Sequence, residues 1–139
     1  MNISYVNTIS VEDYNKLHIA VGWGARDPGK VREALGRTDF LVAARTDGKT
    51  IGMARVIQDG LQALIMDVIV TPEYQRQGIG KAMMTRLMDY LGEQSRSGGL
   101  LVNLMSAINR EGFYGQFGFE RRPSEKRGPG MTLWVDKKV

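Results

Sequence analysis

Three successive apolar runs occupy the middle of the chain: "DFLVAAR" (39–45), "TIGMARVIQ" (50–58) and "LQALIMDVIV" (61–70). Their lengths and composition predict strands. The first two are joined by "TDGK" and the next two by "DG". An Asp-Gly pair readily adopts the positive φ angles of a tight hairpin, so the three runs predict an antiparallel meander. Beyond the third run the period changes. Ile79, Ala82, Met83, Leu87, Met88 and Leu91 recur at helical spacing, while Lys81, Arg86 and Asp89 fall off the stripe. That pattern predicts an amphipathic helix.

Upstream, "NISYV" predicts a short first strand, and Ser10 is placed to cap a helix from about Val11 to Val21. Glu12 and Asp13 favour the positive end of that helix. "VGWGARDPGK" then interrupts, and Pro28 opens a second short helix over roughly residues 28–37. Downstream, "SRSGG" ends the long helix, "LLVNLM" predicts a strand, and "NREGFYGQFGF" a short helix closing at Gly118. A strand from Phe119 and a last one, "MTLWV", complete the order β-α-α-β-β-β-α-β-α-β-β. This predicts an α/β (mixed α+β) fold: a mostly antiparallel sheet of about six to seven strands, with helices on both faces. No repeat or linker breaks the chain, so residues 1–139 are expected to form a single domain.

The composition narrows the chemistry. Hydrophobic residues make up 42% and charged residues 24% of the 139, ordinary values for a globular protein. No apolar run approaches the roughly 20 residues that span a bilayer, and the N-terminus lacks a signal-peptide pattern. No membrane partner and a cytoplasmic location are therefore expected. With no cysteine, disulfides, thiolate metal sites and a cysteine nucleophile are excluded; with His18 as the lone histidine, so is a multi-histidine metal site. No metal is expected. The net charge of +4 suits an anionic ligand or a nucleic acid. The chain carries neither a nucleic-acid motif nor an aromatic-basic stripe, and no such partner is expected.

The anionic ligand has a candidate seat in "TPEYQRQGIGKAMM" (71–84), between the third run and the long helix. Gly78 and Gly80 are too close together for a P-loop, and Met83 stands where the dinucleotide-binding fingerprint needs glycine or alanine. The physics remains: unpaired amides at a helix start and the helix dipole attract phosphate, glycine lets it approach, and Arg76 and Lys81 add charge. A plain helix-starting turn would have the same composition.

"VIVTPEYQRQGIGKAMM" resembles the acetyl-CoA-binding segment of the GCN5-related N-acetyltransferases, with Gln75, Gly78 and Gly80 filling its pattern and Val70 to Tyr74 its lead-in. "FYGQFGF", with Phe113, Tyr114, Gly118 and Phe119, resembles the family's C-terminal aromatic helix. The likeness covers essentially the whole chain, the first forty residues in layout alone.

The resemblance implies a sheet splayed between its fourth and fifth strands, with acetyl-CoA in the gap. Main-chain groups of Val68, Ile69 and Val70 would meet its pantetheine arm, and the amides of Gln75, Arg76, Gln77, Gly78, Ile79 and Gly80, beside Lys81, its pyrophosphate. Asn109 matches a polar cofactor contact, and equally suits an N-cap. An amine would attack the acetyl carbonyl directly. Tyr114 matches the family's general acid; a core aromatic is the bland reading. Many relatives carry a glutamate base at the position of Met66. Here the carboxylate is Asp67, one residue on, and alternation points it to the opposite face unless a bulge intervenes. Base, amine anchor and structural hydrogen-bonding are its open roles. His18 falls on the face of Tyr14 and Val21 and suits packing, and Trp23 suits either the acceptor pocket or the core.

The expected function is N-acetylation of a small primary amine, with a possible homodimer. Acetylation of a protein lysine or N-terminus, and a non-catalytic CoA-binding module, are the alternatives.

Overall fold

The computed structural model describes residues 2–96 and 98–136, and the chain divides into two units, Met1–Leu104 and Met105–Val139. In the first, the elements run β1 (Ser4–Val6), α1 (Val11–Ala20), α2 (Pro28–Gly36), β2 (Phe40–Thr46), β3 (Lys49–Gln58) and β4 (Gln62–Val70). A 3-10 turn (Pro72–Tyr74), α3 (Ile79–Gln94) and β5 (Leu101–Leu104) follow. The strands lie in the order β1-β2-β3-β4-β5, antiparallel except for the parallel pair β4–β5.

Local chemistry accounts for the boundaries. Asp47 (φ 49°) and Gly48 (φ 72°) make the left-handed pair that the first hairpin needs. The Ser10 side chain accepts from the Asp13 amide, and the Asp27 side chain from the Lys30 amide, so both early helices start on a satisfied cap. The long helix ends at Gln94, ahead of the predicted breaker segment, of which residue 97 lies outside the described residues.

Helices cover both faces of the sheet. On one, Tyr14, Leu17 and Val31 of α1 and α2 pack with Leu41, Ala43, Met53 and Ile69. On the other, α3 buries Ile79, Met83, Met84, Leu87 and Leu91. Full burial of such side chains is worth about 1.5–3 kcal/mol each. Met84 was not part of the predicted stripe. Gly52 of β3 is the closest approach on this side: a Cβ there would stand 2.8 Å from the Ile69 carbonyl oxygen and 3.1 Å from Met83 Cε.

β4 is not a regular strand. Met53 pairs with Ile69 and Arg55 with Met66, so Ala54 alone stands opposite both Asp67 and Val68. Two residues against one make a β-bulge, and Asp67 has φ 55°. The bulge brings Asp67 to the face of Met66, where regular alternation would have turned it away. The parallel pairing with β5 runs from Gln62↔Leu101 to Ile65↔Leu104 and ends there, so residues 66–70 of β4 lie beyond it.

The described residues of the second unit include the helix α4 (Glu111–Gly115), with Gly118 (φ 91°) in the turn behind it. Among the described residues the strands predicted from Phe119 and over "MTLWV" are absent, which corrects the expected count: the sheet these residues form has five strands, not six to seven. Met131, Leu133 and Val135 are exposed. A strand is defined by its partner's hydrogen bonds, and an apolar alternating pattern cannot supply the partner. Among the described residues no helix is long and apolar enough to cross a membrane.

Candidate active site

The segment after β4 forms a cradle of backbone amides. Arg76 (φ 63°) and Gly78 (φ 82°) are both left-handed, which turns successive amides to one side. Among the described residues, no chain carbonyl accepts from the N–H groups of residues 76–81, while the Ala82 amide is the first to bond, to the Gly78 carbonyl. These are the orphan donors of the α3 N-terminus, where the helix dipole adds positive charge. Arg76 and Lys81 are exposed beside them. The Thr71 hydroxyl, at the entry to the segment, is buried and without a partner. The donor set fits a diphosphate.

Gln75 departs from its expected place in that cradle. Its amide donates to the Pro72 carbonyl (3.3 Å) and its side chain to the Val70 carbonyl (2.8 Å). Both bonds tie the loop to itself and to the end of β4, so the open amides begin at Arg76.

A buried polar cluster surrounds the bulge. The Asp67 carboxylate accepts from Tyr14 Oη (3.0 Å), His18 Nε2 (3.0 Å) and Arg55 Nε (2.6 Å). Arg55 Nη1 also donates to Thr38 Oγ1 (3.1 Å). Tyr14 and His18 are one helical turn apart on α1 and stack at 4.0 Å, so one helix face presents both donors. His18 Nδ1 faces the Tyr14 carbonyl oxygen at 2.7 Å. Both ring nitrogens of His18 thus face oxygen atoms, one on its own helix and one on β4. Burial alone would raise the Asp67 pKa; the hydrogen bonds from His18 and Arg55 outweigh it and lower the group to about 2. Such a carboxylate is ionised at neutral pH and a weak proton acceptor.

Neither His18 nor Arg55 stood out in the sequence as a partner of Asp67. The signal was there in part: Arg55 and Asp67 are opposite charges inside consecutive apolar strands of one hairpin. Trp23, half exposed at 51%, sits edge-on to His18 at 5.8 Å, so its indole is a partly open wall over the cluster rather than core.

In the second unit Tyr114 is buried at 8% exposure, between Phe113 (5.0 Å) and Phe119 (6.2 Å), each edge-to-face. Burial raises the phenol pKa and the Arg110 charge lowers it, with a net rise, so the hydroxyl holds its proton through neutral pH. The α4 N-cap is Arg110, without a side-chain cap bond. Asn109 (φ 65°) lies one residue outside, which corrects the capping role expected for it.

Residues 11–135 match the family described as acetyltransferase (GNAT) domain, and the chain belongs to that family. It is 34% identical over 123 residues to GCN5-related N-acetyltransferase 1, chloroplastic, of Arabidopsis thaliana, covering 86% of this chain and 61% of that protein. Serotonin N-acetyltransferase 2, chloroplastic, of Oryza sativa is 30% identical (86% and 61% covered), and histone acetyltransferase TAP1 of Glycine max 32% identical (86% and 56%). The chain thus spans about three fifths of the length of these relatives. A crystal structure of a probable acetyltransferase of unknown function from meticillin-resistant Staphylococcus aureus superposes with a TM-score of 0.87 at 28% identity, covering 96% of this chain and all of that one. The Arabidopsis and rice names assign those proteins to chloroplasts, so they do not repeat the cytoplasmic expectation.

Proposed function

We propose that the chain transfers an acetyl group from acetyl-CoA to the primary amine of a small molecule, by direct attack in a ternary complex. The observation that carries this reading is the run of unbonded amides from Arg76 to Lys81, set at the end of a strand whose pairing with its neighbour stops at Ile65. The amides hold the diphosphate, and the edge of β4 from Val68 to Val70 lines the arm in the splay beyond Ile65. Bound acetyl-CoA supplies an activated thioester. The Val68 amide polarises its carbonyl, and the Tyr114 hydroxyl delivers a proton to the departing sulfur.

The amine is taken as the free base. Asp67 already accepts from three donors, of which His18 and Arg55 hold its pKa at about 2 and make it a poor acceptor for the ammonium proton, and both His18 nitrogens are engaged; water removes the proton. Trp23 forms a wall of the acceptor pocket, which suits an acceptor with an apolar or aromatic body. The rice relative's name, with its small aromatic amine, supports this reading. The soybean relative's name points to a protein acceptor, the competing outcome.

The test is an amine panel with free thiol as readout, run beside calorimetric titration with acetyl-CoA. Turnover with small amines and none with lysine peptides or protein N-termini is expected. Saturable binding without any turnover would leave a non-catalytic module.

A further inference from the structure

Asp67 holds a backbone conformation that strand residues avoid, at the point where β4 parts from β5. Its φ of 55° costs an L-residue about 1–2 kcal/mol relative to an extended strand, so something must hold it there. Three donors do: Tyr14 and His18 reach it from α1, and Arg55 from the neighbouring strand. The donors are themselves fixed. His18 is bonded back to the Tyr14 carbonyl, and Arg55 to Thr38. The bulge comes two residues past the last pair with β5, and Val68 is its second member.

We propose that Asp67 works through the backbone: its carboxylate is the anchor that holds β4 in the bulge, and the bulge sets the direction of the Val68 amide at the point of acyl transfer. Tyr14, His18 and Arg55 are then positioning residues for the reaction, although none touches the reacting atoms. This rests on the acetyltransferase reading above. A proton-accepting role makes no use of the left-handed φ and leaves a third donor, Tyr14, unexplained. An anchoring role uses every contact. Three converging donors fix a carboxylate in position and direction, and a bulge bends and twists its strand away from the neighbour.

Substitutions at Asp67 separate the roles. Glycine adopts a positive φ freely and needs no anchor; alanine pays the conformational cost and has none. Asparagine tolerates the left-handed region and keeps an oxygen for Arg55 or His18. To avoid an unpaired buried cation, glycine and alanine are compared in an Arg55→Met background. With a standard amine, glycine is expected to exceed alanine by about tenfold in kcat, the conformational cost expressed as a rate ratio. Asp67→Asn, alone, should keep the native pH–rate profile, and the acetyl-CoA Kd should change little throughout. Equal losses of a hundredfold or more for glycine and alanine, with an altered profile for asparagine, would overturn the proposal in favour of proton transfer. Equal and native-like rates would overturn it too, because the bulge would then be irrelevant to transfer.

The melting order gives a readout that does not depend on turnover. In a regular strand glycine is less stable than alanine; at this bulge it should be more stable. If the native chain acetylates no amine, the acetyltransferase reading falls. The melting order still decides the anchor, glycine above alanine supporting it and glycine below overturning it.

Discussion

Arg55 and Asp67 meet at 2.6 Å although the ladder pairs Arg55 with Met66. The bulge displaces the acid by one place along its strand and so completes a buried ion pair. The linkage to pH has a definite sign. The folded pKa of Asp67, about 2, lies below its ordinary 3.8 because His18 and Arg55 both donate to it, so these interactions stabilise the fold above about pH 4 and are lost as pH falls through 2. The difference corresponds to roughly 2 kcal/mol. Asp67→Asn should therefore melt several degrees below the native chain at pH 7, with the gap closing toward pH 2. Thermal melts of both proteins across that range check it, and a gap that stays constant to pH 2 would refute the linkage.

Tyr114→Phe should keep the ring packing against Phe113 and Phe119 and remove only the hydroxyl. The expected result is a fall in kcat of about a hundredfold, the usual lower range for a lost proton donor, with acetyl-CoA affinity unaltered. Steady-state rates and calorimetry are compared in one buffer; an unchanged kcat in a chemistry-limited assay would remove Tyr114 from the mechanism.

Gly78→Ala tests the amide cradle. The position has φ 82° and open space where a Cβ would go, so the cost is conformational rather than a clash. About 1 kcal/mol of strain should relax the turn and weaken acetyl-CoA binding by roughly fivefold or more. Affinity equal to the native value would show that the left-handed turn is not part of the binding site.

Gly52→Ala should destabilise the packing of β3 against β4 and α3. Its methyl would press on the Ile69 carbonyl oxygen, a backbone atom with little freedom, and on Met83. Overpacking of this kind costs about 1–3 kcal/mol. A urea melt measures it; a midpoint at or above the native one would mean that β3 and α3 separate easily.

Much of the frame was legible in the sequence because it rests on local chemistry. The two Asp-Gly hairpins, the Ser10 cap, the α3 stripe and the glycine turn each depend on a few neighbouring residues. The direction of Asp67 did not, since it depends on donors from α1, roughly fifty residues earlier in the chain. Gln75 was read as a phosphate contact because its motif position suggests one, and its side-chain bond to Val70 has no signature in composition. The expected final strands failed for a related reason: "MTLWV" has the pattern of a strand, but pairing is a property of two segments.

The Gln75–Val70 bond has a mechanical consequence. On the proposed reading the loop grips phosphate and the strand end lines a thioester; two such grips ordinarily respond to thermal motion separately, and their errors would add along the length of the ligand. One amide clasp at 2.8 Å joins them into a single lever. The distance between the two ends of a bound molecule is then governed by a short rigid span of chain, and severing the clasp would loosen both grips at once.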